Sequence, residues 1–360
     1  MKFDLETFLA LKLYETRTGA SKPAWMLAAA QSVVYPIVHL LFPLDEVFHP
    51  SIKSIPVERP IFVIGCPRSG TTLLFHLLAA DPRVATYNLY RMLFPSVLFR
   101  RAIPNAVRDR FIRGFEAWFT VLERIHPIHA EAPEEDEILF LLLGNSGINT
   151  YVFPYGAVAS RYKLNRFWEW PREKRAGHLR FYHQALQRLL FDLGRTRYVG
   201  KSPHFLGKVN DLLRQYPDAL FVYAVRSPYE CIPSALSFIT TFWKIAFPET
   251  PPDGAVRQLY DDLVALWCHG DECLADVDSA NTIIVPYDRL IREPSAIVKQ
   301  IYARAELTMT VDYEHRLALA NAQQRNWRSQ HKYSLAAFRL TREDLRKDLS
   351  RIFSEHQFLA

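Results

Sequence analysis

Residues 60–72 read Pro60-Ile61-Phe62-Val63-Ile64-Gly65-Cys66-Pro67-Arg68-Ser69-Gly70-Thr71-Thr72, and the architecture turns on them. Pro60 to Gly65 is a short apolar run rich in β-branched and aromatic residues, the pattern of a fully buried strand. From Thr71 to Ala80 the spacing becomes helical, with Leu73, Leu74, Leu77 and Leu78 apolar. A strand, a glycine loop and a helix therefore follow one another, and the N–H groups of such a loop can turn inward to hold an oxyanion at the helix N-terminus.

Outward from this unit, strands are expected at Arg197–Gly200, Leu220–Val225 and Thr282–Pro286, each beside a helix-like stretch. The fold class is therefore α/β: a mainly parallel central sheet with a P-loop-like phosphate-binding loop, flanked by helices. Residues from about 91 to 195 read as a large helical insertion, and the acidic run Glu131–Glu137 opens one of its apolar helices. Residues 1–56 read as an N-terminal helical extension ending in a proline-marked linker, and 57–360 as the main domain.

The loop keeps the glycine spacing of a Walker loop but lacks its lysine: Thr71 follows Gly70, and the positive charge sits inside the loop on Arg68. A kinase or ATPase needs that lysine on its terminal phosphates and a hydroxyl on Mg²⁺. An anion with a single phosphate beside a second acidic group can instead be held by arginine, hydroxyls and backbone amides without a metal.

Pro67-Arg68-Ser69-Gly70-Thr71-Thr72 after a buried strand resembles the 5′-phosphosulfate loop of the sulfotransferase superfamily, in particular its bacterial, cytosolic-type members. Arg226 ends the strand Phe221–Val225, and Ser234 follows eight positions later on the next helix; the resemblance implies that this pair binds the 3′-phosphate of 3′-phosphoadenosine 5′-phosphosulfate (PAPS). It further implies that Tyr287, in Val285-Pro286-Tyr287-Asp288-Arg289-Leu290, contacts the adenosine. The basic, aromatic loop Arg325–Tyr333, with Arg328 and Lys332, falls where the family closes over the 3′-phosphate, although the glycines usual there are missing. The resemblance covers about residues 60–340.

Sulfuryl transfer in line to a nucleophile needs a base for the acceptor proton and positive charge near the bridging oxygen. Gly200-Lys201-Ser202-Pro203-His204 is similar to the family's Lys-Thr-His segment, one residue longer and interrupted by a proline, which implies Lys201 for the leaving group and His204 for the proton. The competing base lies in the acidic run, with Glu134 as its candidate, because clustered carboxylates can raise one pKa. Asp81-Pro82 is followed by no glutamate through Tyr90, unlike the family's protein-tyrosine branch. Cys268-His269-Gly270-Asp271-Glu272-Cys273 lacks usual metal-ligand spacing, so no metal is expected.

At 360 residues and 49% hydrophobic content the chain can bury a substantial core, and a formal charge of +6 without long like-charged runs gives no reason to expect nucleic acid. Four cysteines without a C-x-x-C pair, and an N-terminus without a signal-peptide pattern, suggest free thiols in a cytoplasmic protein. Trp25–Leu44 is largely apolar but contains Gln31, Pro36 and His39. It reads as a buried helix to about Val34 broken at Pro36, with a membrane-spanning helix and a peripheral membrane contact through 25–44 as the alternatives to burial. Together with the aromatic residues between Arg91 and Trp170, it suggests a small, hydrophobic or lipid-like alcohol or phenol as acceptor, a sugar remaining open. A P-loop small-molecule kinase and a non-catalytic nucleotide-binding protein are the alternative functions.

Overall fold

The computed structural model describes residues 3–17, 22–119, 129–247, 254–325 and 334–358. Five strands, β1 (Ile61–Ile64), β2 (Val84–Ala85), β3 (Arg197–Lys201), β4 (Leu220–Val225) and β5 (Thr282–Pro286), form one sheet in the order β2-β3-β1-β4-β5 with every pairing parallel. The helices of nine or more residues are, in chain order, α1 (Leu5–Arg17), α2 (Lys22–Phe48), α3 (Thr71–Ala79), α4 (Asn105–Phe119), α5 (Arg172–Leu193), α6 (Pro228–Ala246), α7 (Ala255–Ala275), α8 (Pro294–Arg304) and α9 (Val311–Arg325). Among the described residues between β2 and β3 there is no further strand, so the helical insertion enters beside the edge strand.

Alternate residues of each strand face opposite ways, and both faces are buried except at the edge strand β5, where Ile284 is 50% exposed. Ile61, Val63, Val199, Leu220, Val222, Ile283 and Val285 pack with α3, α8 and α9. Phe62, Ile64, Tyr198, Phe221 and Tyr223 pack with α5, α6 and α7, and also with Tyr35, Val38 and Phe42 of α2. The N-terminal helices thus share the sheet's larger core.

The expected break at Pro36 does not occur: α2 runs through both Pro36 and Pro43. Each proline removes a helical hydrogen bond, at a cost of about 3 kcal/mol, but both face solvent, where a curved helix tolerates the gap. The opposite face is pinned. Asp45 accepts hydrogen bonds from Ser96 Oγ (2.9 Å), Val97 N (3.1 Å) and Leu98 N (2.8 Å), and pairs with Arg188 Nε of α5 at 3.0 Å. Arg188 and Asp45 are both fully buried, and the guanidinium lies 3.6 Å from the Phe42 ring centroid.

Candidate active site

The parallel sheet opens a crevice at the carboxyl ends of its central strands, the usual place for ligands in open α/β sheets. The loop after β1 lies there. Its backbone takes left-handed conformations at Gly65 (φ 154°), Arg68 (φ 72°) and Gly70 (φ 98°). Gly70 is needed for a close approach as well: a Cβ there would lie 2.8 Å from the Tyr287 ring. A non-glycine residue held left-handed, as Arg68 is, costs on the order of 1–3 kcal/mol and persists only where the surroundings impose it.

Four of the sequence-predicted residues converge on this loop. Arg68 Nε donates to Ser234 Oγ at 3.1 Å. Arg226 Nη1 donates to the Arg68 carbonyl at 3.3 Å, its guanidinium sits 4.0 Å from the Tyr287 ring centroid, and Nη2 pairs with Glu230 at 2.9 Å. Pro67, Ser69 and Thr71 are buried, whereas Thr72 is exposed on the first turn of α3. Ser69 Oγ and Arg226 Nε have no hydrogen-bond partner despite full burial. Buried polar atoms without partners are uncommon in folded chains. Here they lie beside the first N–H groups of α3, which have no acceptor within the helix, so the cradle is complementary to an anion. Arg328 and Lys332 lie outside the described residues.

A second cluster adjoins the first across β1 and β3. Lys201 is in register with Val63, and Ser202 N donates to the Val63 carbonyl at 3.3 Å, so the end of β3 is set beside the start of the loop. Lys201 Nζ donates to Glu135 Oε2 at 3.2 Å, Ser202 Oγ donates to Glu135 Oε1 at 3.2 Å, and His204 Nδ1 lies 3.6 Å from Glu135 Oε1. Burial would raise the Glu135 pKa, but the Lys201 ammonium and then His204 outweigh it and hold the carboxyl at about 2. The same pairing keeps Lys201 above its ordinary value against the opposing pull of burial. Neither ring nitrogen of His204 has a hydrogen-bond partner, although the side chain is only 3% exposed and packs 4.9 Å from the Tyr151 ring.

Glu134, the candidate chosen from the acidic run, is half-buried, and its Oε1 accepts the backbone N–H of Glu135 at 2.9 Å. Its neighbour Glu135 makes the contacts to Lys201, Ser202 and His204 instead. The next two carboxylates serve different partners. Asp136 Oδ2 accepts from Tyr182 OH (2.5 Å) and Tyr198 OH, and its backbone N donates to the Lys201 carbonyl at 3.0 Å. Burial pushes this carboxyl up to about 7, the tyrosine hydroxyls and Lys201 offsetting only part of the effect. Glu137 pairs with Lys208 at 2.7 Å and accepts from Ser146 Oγ (3.0 Å) and Gly147 N (3.3 Å). Gly147 in turn abuts His204, where an added Cβ would lie 2.5 Å from Nε2.

The Cys268–Cys273 segment lies on α7 and does not gather around one point. His269 stacks on Trp168 with ring centroids 4.3 Å apart, and Asp271 accepts from His356 at 2.6 Å and from Tyr223 OH at 3.2 Å. The four cysteines are free thiols. None of the described helices is long and apolar enough to cross a membrane.

Comparison with known proteins gives a consistent picture. The profile described as "Sulfotransferase family" matches residues 60–311. The omega-hydroxy-beta-dihydromenaquinone-9 sulfotransferase Stf3 of Mycobacterium bovis is 25% identical over 252 residues, 69% of this chain, and its namesake in Mycobacterium tuberculosis matches to the same extent. The match spans 63% of those relatives' length. Among solved structures, sulfotransferase STF9 of Mycobacterium avium aligns with a TM-score of 0.76 at 19% identity, covering 99% of this chain and 97% of that one. Sulfotransferase STF1 of Mycobacterium tuberculosis H37Rv gives 0.72 at 23% identity, with 96% and 90% covered. At these identities the two structures establish a shared fold.

Proposed function

The chain belongs to the sulfotransferase family, and from that premise we propose that it transfers a sulfuryl group from PAPS to a hydroxyl of a small, hydrophobic or lipid-like acceptor. The observation that carries the reading is the convergence of Arg68, Ser234, Arg226 and Tyr287 on one glycine loop with two unpartnered buried polar atoms. The loop, with Arg68, Ser69 and the N-terminus of α3, holds the 5′-phosphosulfate. Arg226 and Ser234 hold the 3′-phosphate, and Tyr287 lies against the adenosine. Arg328 and Lys332 complete the donor site on the basic C-terminal loop. No metal is required, because each anionic group meets an arginine or backbone donors.

In the transfer the acceptor oxygen bonds to sulfur as the bond from sulfur to the phosphate oxygen breaks, leaving 3′,5′-adenosine bisphosphate. Lys201, at the end of β3, supplies positive charge to that departing oxygen. His204 takes the acceptor proton. Glu135 is too acidic at about 2 to be an effective base near neutrality. Its charge lies 3.6 Å from His204 Nδ1, on the side of the ring away from Nε2, which is left for the acceptor, while Glu134 adds negative charge beside Lys201. The catalytic unit is 57–360, with the helical insertion of about 91–195, and 1–56 buttresses it.

The mycobacterial Stf3 relatives are omega-hydroxy-beta-dihydromenaquinone-9 sulfotransferases. A hydroxyl on an apolar molecule is the same acceptor class that the aromatic insertion suggests. A peripheral membrane contact through 25–44 fits such an acceptor, since Pro36, Ile37 and Leu40 of α2 face outward. The free thiols fit a cytoplasmic location.

The test is calorimetric titration with 3′,5′-adenosine bisphosphate beside AMP and ATP with Mg²⁺. Bisphosphate should bind in preference to AMP. Arg226→Ala should weaken it by about 10- to 100-fold, the worth of a charged hydrogen-bonding pair. Preference for ATP with Mg²⁺ would overturn the reading in favour of a kinase.

A further inference from the structure

Thirteen large hydrophobic side chains are strongly exposed among the described residues, and seven of them lie on the first two helices: Leu5, Leu9 and Leu13 of α1 and Ile37, Leu40, Val47 and Phe48 of α2. Such concentration on two elements is unlike the scattered single exposures that any surface shows. The α1 leucines recur every four residues and so form one stripe. On α2 the exposed positions 36, 37, 40, 43, 47 and 48 also follow helical spacing, and none is charged.

The two stripes are neighbours. Phe3, just before α1, and Phe8, within it, pack on Tyr35, and Phe3 also packs on His39, along one flank of α2. Along the other flank Val34 packs against a separate cluster of Tyr90, Phe94, Ala130 and Ile112 of α4. The order across this surface is therefore α1, α2, α4. Helix α4 has a different outer face: Val107 and Phe111 are exposed at 55% and 38%, and Arg110 and Arg113 are exposed beside them. Its carboxylates are paired, Asp109 with Arg108 at 2.9 Å and Glu116 with the backbone N of Ala130 at 3.0 Å.

An uncharged apolar strip bordered by arginines with aromatic and aliphatic neighbours matches the interface of a bilayer carrying anionic headgroups, where apolar side chains enter the acyl boundary and cations meet the phosphates. We propose that α1, α2 and α4 form one docking face for an anionic lipid surface. The inference rests on the reading of a lipid-like acceptor and extends the contact beyond 25–44 to both flanking helices. Docking by this face presents the enzyme to acceptors that reside in the membrane.

The test is sedimentation of the purified full chain with vesicles of phosphatidylcholine alone or mixed with phosphatidylglycerol. Binding should require the anionic lipid and weaken as salt is raised, because exposed charges are screened. Each arginine near such a surface is worth about fivefold in partitioning, so Arg110→Ala with Arg113→Ala should lower binding about 25-fold. Leu40→Asp should abolish binding to the anionic vesicles. Titration with 3′,5′-adenosine bisphosphate monitors folding of the variants and should match the parent chain. Three results would overturn the docking face: no vesicle binding at low salt, binding indifferent to all three substitutions, or a stable dimer that Leu40→Asp dissociates, which would assign the face to a second copy of the chain. Vesicle binding by a chain that ignores the bisphosphate would keep the docking face and remove the donor assignment, so the two readings fail separately.

Discussion

Gly147 offers a sharp probe of how the acceptor base is positioned, because substitution there moves one side chain without touching charge. A methyl group at Gly147 would lie 2.5 Å from His204 Nε2, whereas ordinary contact begins near 3.4 Å. One of the two must give. The glycine cannot retreat easily, since its N–H and Ser146 Oγ are both held by Glu137, itself tied to the buried ammonium of Lys208. The imidazole therefore shifts by about 1 Å, and a displacement of that size in a reacting group costs about 100-fold in rate. Overpacking should also cost about 1–3 kcal/mol of stability. The expected outcome for Gly147→Ala is thus a kcat about 100-fold lower, measured as transfer from PAPS to a hydroxylated acceptor, with bisphosphate affinity unchanged by calorimetry. Gly177→Ala on α5, where an added Cβ meets nothing within 4 Å, is the control and should keep full activity with a gain of about 0.4–1 kcal/mol. A Gly147→Ala enzyme with the parent kcat would refute the placement of His204 as base.

Replacing Glu135 with glutamine leaves the buried Lys201 ammonium without its counter-ion, and urea unfolding should show a loss of about 3–5 kcal/mol. In the parent chain the stabilisation from Glu135 is present above its ordinary pKa of 4.5 and fades as pH falls toward 2, because the folded state holds the carboxyl more acidic than the unfolded one. Asp136 works in the opposite sense. Its folded carboxyl titrates near 7 against 3.8 when unfolded, so the folded state binds the extra proton between those values and stability declines as pH rises through them. Asp136→Asn should flatten that decline, read from urea midpoints at pH 5 and pH 8, and an unchanged slope would count against a buried protonated carboxyl. Ser234→Ala removes a neutral hydrogen-bonding group and should weaken bisphosphate binding only a few-fold, a smaller loss than Arg226→Ala, since neutral bonds contribute about 0.5–1.5 kcal/mol.

Strands β4 and β5 are legible in the sequence to the residue: β4, buried on both faces, leaves a continuous apolar run, and β5, exposed on one face at Ile284, is still a β-branched run closed by Pro286. Strand β3 extends one residue further than its apolar run, to Lys201, whose side chain is buried by pairing with Glu135 rather than by its own character. Strand β2, the pair Val84–Ala85, is too short to have a periodicity. Within the site, Arg68, Arg226, Ser234 and Tyr287 are visible as motif positions, and the sheet's topology brings them together. The choice of Glu135 over Glu134 is invisible in the run Glu134-Glu135-Asp136-Glu137, since three successive carboxylates diverge toward Lys201, Tyr182 with Tyr198, and Lys208. Only a backbone without regular period allows that, and its turn is fixed by the partners. Gly147 has no local signature either, because its importance comes from a histidine that reaches it through the fold.

The pairing of Asp45 with Arg188 joins a residue upstream of the family match to one inside it. The family match begins at residue 60, yet a fragment started there would leave the Arg188 guanidinium in the apolar interior with its carboxylate gone. Stranding one half of a buried pair costs about 3–5 kcal/mol, against a total stability of about 5–15 kcal/mol for a typical domain. The edge of the family match is therefore not an edge of foldability. Any minimal version of this enzyme has to carry α2 with it, or redesign Arg188 as an uncharged residue of similar volume.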